Sequence, residues 1–484
     1  MAVETTQNLI QEYEDIFRGE GLLEGELHIE LTEQAKPVKL PVRIIPLAVK
    51  PKLRAEIQRL VKLGILTPEK EPTDWISSMV VVMKSNKKIR LCIDPQPLNK
   101  VLKRNHYPIP TIEDVLPDLN RARIFTVVDA KNGFWHVKLD EESSKLATFG
   151  TPWGRYRWRR MPFGIAPAPE EFQRRIDDAL EGIQGVKAIH DDILVWGSGE
   201  DDTEATQDHD RKLRELFQRC RKKNVKLNKD KMKLRQKEVT FMGDVIVAEG
   251  LKVDSAKVEA IKEMPTPTDK QAVQRLLGMV NYVQKFAPRL SEVTEPLRQL
   301  IKKDAEFYWD QIHDKCLYEI REILTSAPVL RYFDHEKDTI LQCDASETGL
   351  GACLLQEGHP VAYASCALTL TEVNYAQIEK ELLAIVLGME RFENYVYGRR
   401  VVIESDHKPL EIICKKTSVG APKQLQRMLL KLQKFDFIVV YKQGTQMYMA
   451  DTLSRAYLPC TKKVRDSDRV FEVDTRSFTE KSVE

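Results

Sequence analysis

The sequence predicts a multidomain α+β protein. At 484 residues the chain exceeds what a single hydrophobic core usually serves. Runs that alternate apolar and polar residues, as strands do, are interleaved with amphipathic helical patterns. A Pro/Thr-rich break, "EMPTPTDK", is followed later by a new strand-helix pattern from about Arg331. We therefore expect two or more separately folded parts.

The first part mixes helices and strands. The stretch "KPKLRAEIQRLVKLGIL" has helical spacing, and "WISSMVVVMKSNKKIRLCIDP" alternates around a Lys-rich turn as a hairpin does. Next, "RIFTVVDAKNGFWHVKLD" predicts a strand that ends at a turn. In "APAPEEFQRRIDDAL", Pro and Ala precede an amphipathic helix.

The last part predicts a second domain. The strand-like "DTILQCDASETGLGACLLQ" turns through Gly and precedes a long helix, "EKELLAIVLGMERFENYV". A further amphipathic helix is predicted at Lys423–Phe437, with basic residues on its polar face. From Thr461 the sequence is polar and aperiodic, so we expect a poorly ordered tail.

Composition excludes several classes of protein. Lys plus Arg number 75 against 73 Asp plus Glu, so the net charge says little about partners. The eight cysteines form no CxxC or Cys/His pair, which disfavours a zinc site or a disulfide framework and favours a reducing, intracellular setting. No signal peptide and no run of about 18 apolar residues is present, so we expect neither export nor a membrane partner.

Three acids interrupt or end apolar runs. Asp191 and Asp192 stand inside "AIHDDILVWG", and Asp129 closes "FTVVDA". Burying an isolated carboxylate costs several kcal/mol unless a cation or donor neutralises it. Magnesium is the natural cation, because it prefers oxygen ligands. The alternative is that Asp191 and Asp192 occupy an exposed hairpin turn, where Asp is common.

The order of several motifs resembles the reverse transcriptase and RNase H portion of Gypsy-type LTR retrotransposons, over roughly residues 12–458. The stretches are "GILTPEKEPTDWISSMVVVMK", "IRLCIDPQPLNK", "YPIPTIEDVL", "FTVVDAKNGFWHVKLD", "TFGTPWGRYRWRRMPFGIAPAPEEFQ", "HDDILVWG", "GMVNYVQKFAP" and "CDASETGLGACLLQ". The resemblance implies a right-hand polymerase followed by a short connector and an RNase H-like α/β domain. It divides the chain into an N-terminal extension (1–30), fingers and palm (31–245), thumb and connection (246–330), RNase H domain (331–458) and polar tail (459–484).

The resemblance also implies two catalytic centres. Asp129, Asp191 and Asp192 correspond to palm carboxylates that hold two Mg²⁺ ions for phosphoryl transfer. A second set of acids, each at the edge of a predicted element, matches the DEDD pattern of RNase H, which also holds two ions: Asp344, Glu381, Asp406 and Asp451. Taken singly, each of these four would more often be a helix cap or a surface acid. Mn²⁺ is a possible substitute for Mg²⁺ at both centres.

Substrate contacts carry over from the same resemblance. Phe134 would press on the sugar of the incoming nucleotide and exclude a 2′-hydroxyl, unless it is ordinary core. Lys84 and Arg90 flank the fingers hairpin turn and would meet the triphosphate, whereas Lys87 and Lys88 would face solvent. Met242 and Gly243 resemble the loop that grips the primer 3′ end, although Met242 is equally suited to the core.

One feature departs from the family, and two neighbours of the acids need an interpretation. The aromatic usual two residues before the paired acids is absent, since Ile189 and His190 stand there. His190 is either a pH-sensitive neighbour or a tolerated substitution. His407 adjoins Asp406 and would lie near the scissile phosphate. Glu379 belongs to the first turn of its helix, where a capping acid is expected, and is not chosen as a ligand.

A basic stretch, Arg211–Glu238, contains 13 Lys and Arg but three acids. Such a run is either a solvated helix face or a surface that follows the phosphates of a duplex. The helical part of Lys423–Phe437 is suited to similar contacts.

The function that the resemblance implies is an RNA- and DNA-directed DNA polymerase fused to a hybrid-specific ribonuclease. Its partners would be an RNA template, a DNA primer, the RNA/DNA hybrid duplex and dNTPs, and it would act as a monomer or homodimer inside retrotransposon particles in the cell. Two other interpretations are a domesticated, non-catalytic nucleic-acid-binding protein and an inert subunit of a larger polyprotein assembly. The sequence has no aspartic-protease triplet or integrase-type His/Cys cluster, as expected of a piece of a longer polyprotein.

Overall fold

A computed structural model describes residues 6–83, 89–287, 290–302, 305–325, 329–347, 349–415 and 422–455. These residues form two compact units, 6–242 and 243–455. The predictions made for Lys84, Lys87, Lys88 and the polar tail fall outside the described residues. No described helix has the length and apolar character needed to cross a membrane.

The first unit contains helices and strands in alternation. Its helices are α1 (Thr6–Glu12), α2 (Glu14–Phe17), α3 (Lys50–Lys62), α4 (Gln96–Asn99), α5 (Ile112–Val115), α6 (Glu141–Leu146), α7 (Ala168–Leu180) and α8 (Asp202–Lys223). Its strands are β1 (Glu26–Leu27), β2 (Leu66–Glu69), β3 (Ser78–Met83), β4 (Ile89–Asp94), β5 (Ala122–Asp129), β6 (Lys138–Leu139), β7 (Thr148–Thr151), β8 (Gly154–Trp158), β9 (Val186–Ile189), β10 (Asp192–Ser198), β11 (Lys233–Gln236) and β12 (Glu238–Phe241). Short 3-10 turns include Gly133–His136 and Lys229–Lys231.

The central sheet of this unit is antiparallel, in the order β11-β5-β10-β9. Strand β5 is almost entirely buried, because its apolar side chains face packed layers on both sides. Helix α8 covers the sheet next to β10. At Gly197 a side chain would collide with helix α8, since a Cβ there would lie 2.0 Å from the carbonyl oxygen of Ala205. The predicted hairpin of β3 and β4 is also formed, with Ser78 opposite Asp94.

The N-terminal residues belong to the core of the first unit. Leu9, Tyr13 and Ile16 are buried in the same apolar cluster as the residues of α8. The ring of Tyr13 lies 5.3 Å from the ring of Phe217. The amide of Leu227 donates to the carbonyl of Ile16 at 2.9 Å. This segment therefore packs as part of the unit, while the boundaries proposed for the domains stay predictions.

Most cations of the basic stretch Arg211–Glu238 bond to carboxylates or carbonyl oxygens of the first unit. The helical part of this stretch ends with α8 at Lys223. Arg221 reaches Asp15 at 2.6 Å, and Lys237 reaches Asp202 at 2.5 Å. Most of these side chains therefore hold the unit together, and contact with a duplex backbone stays a prediction for the remainder.

The second unit begins with a hairpin and helices and ends with a mixed sheet. Its helices are α9 (Ser255–Lys262), α10 (Lys270–Val283), α11 (Leu290–Val293), α12 (Glu295–Leu300), α13 (Gln311–Thr325), α14 (Gln377–Arg391), α15 (Glu393–Val396), α16 (Pro409–Ile413), α17 (Lys423–Leu432) and α18 (Tyr448–Arg455). Its strands are β13 (Asp244–Val247), β14 (Gly250–Lys252), β15 (Thr339–Ala345), β16 (Gly349–Gln356), β17 (His359–Ala367), β18 (Arg400–Ser405) and β19 (Asp436–Tyr441).

The mixed sheet has the order β17-β16-β15-β18-β19. Strands β15, β16 and β17 are antiparallel, whereas β18 and β19 run parallel to β15. Successive residues of β16 face opposite sides, so Ala352 and Leu354 pack in the cluster of α14, and Cys353 packs with Leu453 of α18. The sheet is therefore covered on both faces.

The helix predicted at Lys423–Phe437 is partly wrong. Helix α17 ends at Leu432, and Asp436 begins strand β19. The aromatic and β-branched residues of "FDFIVVY" favour a strand and override the helical spacing that precedes them.

Candidate active sites

The three acids of the first unit meet at one end of its central sheet. Asp192 opens β10 directly opposite Asp129, the last residue of β5. Asp191 lies in the turn between β9 and β10, and its carbonyl accepts the amide of Ala130 at 2.6 Å. The structure therefore brings the three predicted acids to one end of the sheet. Asp191 lies in the hairpin turn, whereas Asp192 lies in strand β10, and both are half-buried rather than exposed.

The turn that carries Asp191 is held by a buried glutamine. His190 adopts a left-handed backbone conformation, with φ of 55°. Its amide donates to Oε1 of Gln173 at 2.7 Å, and Nε2 of Gln173 donates to the carbonyl of Ala188 at 2.9 Å. Gln173 is fully buried in α7. We did not predict this residue; a glutamine on the apolar face of an amphipathic helix was the available signal.

A lysine neutralises the most buried of these acids. Asp129 is 6% exposed, and its Oδ2 lies 2.5 Å from Nζ of Lys231, while Asn228 donates to its Oδ1 at 3.3 Å. Burial raises the pKa of Asp129, although Lys231 opposes this shift. Burial and the nearby Asp191 and Asp129 charges raise the pKa of Asp192 to about 6. Sequence reasoning missed Lys231, because it counted as one cation of a basic run.

Phe134 lies beside two aromatic rings near these acids. Its ring centroid is 4.9 Å from that of Phe163 and 5.9 Å from that of Phe172. The guanidinium of Arg90 stacks over Phe163 at 4.8 Å. The structure thus connects two predicted substrate residues through Phe163, which was not predicted. Phe134, Phe163 and Arg90 are partly accessible, whereas Phe172 is fully buried, so Phe134 packs against the core without being enclosed by it.

Two glycines allow the backbone near these rings to lie in close contact with neighbouring segments. At Gly164, φ is +109° and a Cβ would lie 2.0 Å from the carbonyl oxygen of Ile93, so the loop that follows Phe163 sits directly on β4. At Gly133 a Cβ would lie 3.2 Å from Cβ of Asp191 and from the ring of Phe172. A larger residue at either position would displace the rings or the acidic turn.

Met242 and Gly243 adopt backbone conformations typical of a tight turn, with φ of 50° and 87°. Met242 is 37% exposed, which argues against its being plain core. Nζ of Lys257 donates to the carbonyl of Gly243 at 2.6 Å and lies 3.4 Å from the ring centroid of Tyr282. A grip on a primer end stays a prediction for this turn.

The second unit contains a compact carboxylate cluster. Asp344 lies in β15, Glu381 in α14, and Asp406 directly follows β18. One carboxylate oxygen from each of the three lies within 4.8 Å of the other two. Among the described residues, no other group of three His, Cys, Asp or Glu side chains is this close. Asp451 lies in α18 as predicted, but its side chain is outside the described part of the chain.

Two polar side chains hold the buried acids of this cluster. Oγ of Ser454 donates to Oδ2 of Asp344 at 2.5 Å. Nε2 of Gln377 donates to Oε1 of Glu381 at 2.7 Å and to the carbonyl of Ala345 at 2.9 Å. Glu381 is 2% exposed, and its Oε2 is buried with no hydrogen-bond partner. Burial, followed by the charges of Asp344 and Asp406, raises the pKa of Glu381 to about 9. This arrangement fits a divalent cation, which would stabilise the ionised cluster.

The neighbours of the acids have distinct environments. Burial lowers the pKa of His190, and the nearby Asp191 charge opposes this shift. Nδ1 of His407 is buried without a hydrogen-bond partner, and its amide donates to Oγ of Ser405 at 3.2 Å. Glu379 accepts the amide of Ala376 at 3.0 Å, as predicted for a capping acid.

Comparison with known families identifies both units. A family described as "Reverse transcriptase (RNA-dependent DNA polymerase)" matches residues 82–246. A second, described as "RNase H-like domain found in reverse transcriptase", matches residues 334–435. The two matches cover the acids at Asp129, Asp191 and Asp192, and those at Asp344, Glu381 and Asp406.

Individual relatives extend the similarity over nearly the whole chain. The chain is 32% identical to the Retrovirus-related Pol polyprotein from transposon 412 of Drosophila melanogaster, over 97% of this chain and 38% of the relative. It is 31% identical to the Transposon Tf2-3 polyprotein of Schizosaccharomyces pombe, over 89% of this chain and 32% of the relative. The chain thus spans little more than a third of these relatives.

Solved structures share the fold. The foamy viral protease-reverse transcriptase in complex with dsDNA superposes with a TM-score of 0.79 at 23% identity, covering 90% of this chain and 92% of that chain. The same viral protein in complex with an RNA/DNA hybrid gives a TM-score of 0.76, covering 90% and 60%. The predicted fold class and the Gypsy-type resemblance are confirmed. The chain therefore contains a reverse transcriptase domain followed by an RNase H-like domain, and it is similar to retrotransposon Pol polyproteins.

Proposed function

We propose that the chain is an RNA- and DNA-directed DNA polymerase that also cleaves the RNA strand of RNA/DNA hybrids. One observation carries the proposal: two separate groups of carboxylates lie at the ends of two different sheets, in a chain that contains reverse transcriptase and RNase H-like domains. Its substrates would be dNTPs, an RNA or DNA template with a DNA primer, and the hybrid duplex. It would work as a monomer or homodimer inside retrotransposon particles.

Each centre would hold two Mg²⁺ ions, for which Mn²⁺ is a possible substitute. Asp129, Asp191 and Asp192 are the ligands proposed for the first centre, and Asp344, Glu381, Asp406 and Asp451 are those proposed for the second. Such ions would neutralise charge on the reacting phosphate and lower the pKa of the attacking hydroxyl or water.

At the first centre the chain would position the primer end and the incoming nucleotide and would select dNTPs over rNTPs. The facing ends of β5 and β10 would hold the carboxylates beside the reacting groups. The primer 3′-hydroxyl would attack the α-phosphate of the dNTP, so that a new P–O bond forms as the bond to pyrophosphate breaks and the hydroxyl proton passes to solvent. Arg90, and Lys84 with it, would neutralise the triphosphate. Phe134, backed by Phe163 and Phe172, would occupy the space that a 2′-hydroxyl needs. Met242 and Gly243 would hold the primer end by backbone contacts.

At the second centre the chain orients two buried acids toward the same point. Ser454 and Gln377 each bond one oxygen of a buried carboxylate, so Asp344 and Glu381 keep one orientation. Asp406 is more exposed and lies on the solvent side of the cluster. His407 would lie close to the scissile phosphate of the RNA strand. A domesticated, non-catalytic nucleic-acid-binding protein is the alternative, but it needs neither of the two carboxylate groups.

The test is primer extension on an RNA template, with dNTPs compared against rNTPs and with Mg²⁺ compared against EDTA. We expect Mg²⁺-dependent extension with dNTPs only. Phe134→Ala should improve rNTP use relative to dNTP use about 10- to 100-fold, the range expected when a steric contact is removed. Phe134→Tyr, which keeps the ring, is the matched control and should still reject rNTPs. Absence of extension by the folded wild-type chain would refute the polymerase proposal.

A further inference from the structure

The helix that ends the described part of the chain makes a second contribution to the carboxylate cluster. Helix α18 carries Asp451 and, three residues later, Ser454. Positions three apart in a helix share one face. Oγ of Ser454 donates to Oδ2 of Asp344 at 2.5 Å, and both side chains are buried, Ser454 completely. The helix thus bonds one cluster acid directly and bears the residue proposed as another.

The backbone around Ser454 is fixed by three independent contacts. Its carbonyl accepts Oγ of Ser346 at 2.6 Å, and Ser346 belongs to the turn that follows β15. Gly351 of β16 lies directly against it, since a Cβ at that glycine would be 2.4 Å from the Ser454 nitrogen. The preceding residue, Leu453, packs against Cys353 and Leu355 of the same strand. Ser454 therefore cannot shift without moving the helix.

We propose that Ser454 is a positioning residue of the nuclease centre, whose hydroxyl holds Asp344 in the orientation that binds divalent cations. The inference rests on the proposed function of this cluster. A hydrogen bond from a buried hydroxyl to a carboxylate is stronger than one between neutral groups. It also fixes one of the two oxygens, so the carboxylate enters cation binding with its direction set. Partners that orient metal ligands in this way typically change metal affinity by 10- to 100-fold when removed.

The experiment uses the full chain with Asp129→Asn and Asp191→Asn, so that the nuclease centre is the acidic site left to titrate. Mn²⁺ binding is followed by electron paramagnetic resonance, and cleavage of an RNA/DNA hybrid is followed as a function of Mg²⁺ concentration. We expect Ser454→Ala to weaken Mn²⁺ binding about tenfold and to raise the Mg²⁺ concentration for half-maximal cleavage by a similar factor. Cleavage at saturating Mg²⁺ should be largely recovered, which a merely structural role would not give.

Controls separate folding from positioning. Ser365→Ala, on strand β17, removes a serine hydroxyl from the same sheet and should leave both curves unchanged. Ser454→Cys keeps the size of the side chain but replaces a strong donor by a weak one, and it should resemble Ser454→Ala. Primer extension by Ser454→Ala with an intact first centre reports whether the first unit is folded, and hydrogen exchange of the α14 amides reports the same for the second unit.

The outcomes distinguish the two proposals. If Ser454→Ala and Ser454→Cys bind Mn²⁺ as tightly as the parent, the positioning role is wrong and the nuclease assignment stands. If the parent itself neither binds Mn²⁺ nor cleaves the hybrid, the nuclease assignment fails and the role of Ser454 fails with it.

Discussion

Replacing Glu381 by glutamine should stabilise the chain when no divalent cation is present. The carboxyl is 2% exposed and lies beside Asp344 and Asp406, and its pKa is raised from 4.5 to about 9. In the unfolded chain the same group ionises near 4.5. The folded state therefore retains a proton that the unfolded state releases between pH 4.5 and 9, and stability falls as pH rises through this range.

The size of the stability change follows from the difference between the folded and unfolded pKa values of Glu381. Each pH unit within the window costs the folded state roughly 1.4 kcal/mol, so the contribution of Glu381 to stability should fall by on the order of 4 kcal/mol between pH 5 and 8 in EDTA. Glu381→Gln has no proton to retain and keeps the shape of the side chain. At pH 8 in EDTA it should therefore be more stable than the wild type by several kcal/mol, and at pH 5 the two should be close.

The assay is denaturant unfolding of the full chain in EDTA from pH 5 to 8.5, with hydrogen exchange of the α14 amides as a local measure. Glu379→Gln is the matched control, since it removes a capping carboxylate from the same helix and should destabilise slightly at every pH. Mg²⁺ should stabilise the wild type more than Glu381→Gln, because the variant keeps only the first centre intact. If Glu381→Gln is no more stable than the wild type at pH 8 in EDTA, then ionised Glu381 does not destabilise the cluster in the absence of a cation, and this account is wrong.

Two further predictions concern the first unit. Lys231→Met leaves Asp129 buried without its ammonium partner; because Lys231 is itself half exposed, we expect a loss of about 1–2 kcal/mol in EDTA that Mg²⁺ largely restores. Thermal unfolding with and without Mg²⁺ checks this against Lys229→Met, an exposed neighbour, and an equal loss in both solutions would contradict it. Burial lowers the pKa of His136 to about 4, so the folded state resists a proton that the unfolded state binds near 6.5. The contribution of His136 to stability should therefore fall by about 2 kcal/mol from pH 7 to 5. In denaturant unfolding, His136→Gln should gain about that amount relative to the wild type over this range; an unchanged difference between the two would refute the prediction.

The carboxylates could be predicted because they break a local rule. An acid inside or at the end of a buried, β-branched run conflicts with burial, and this conflict is visible at Asp129, Asp192 and Asp344 from the sequence alone. The strand assignments at β5, β10 and β15 follow from the same runs. The structure then adds register, which places Asp192 opposite Asp129.

The partners of these acids could not be predicted in the same way. Lys231 is 102 residues from Asp129, and Ser454 is 110 residues from Asp344. Neither residue violates a local pattern, since a lysine in a basic run and a serine in a short helix are unremarkable in isolation. The roles of both residues depend on long-range packing. Long-range packing also explains why the last residues of the helix predicted at Lys423–Phe437 belong instead to strand β19.

The central claim is that one chain contains two independent phosphoryl-transfer centres, and one paired measurement tests it most directly. Asp191→Asn and Asp344→Asn are prepared in parallel, and each is assayed for primer extension and for hybrid cleavage at the same Mg²⁺ concentration. We predict that Asp191→Asn abolishes extension and leaves cleavage largely intact, and that Asp344→Asn does the converse. Loss of both activities in either folded variant would contradict the assignment of two separate centres.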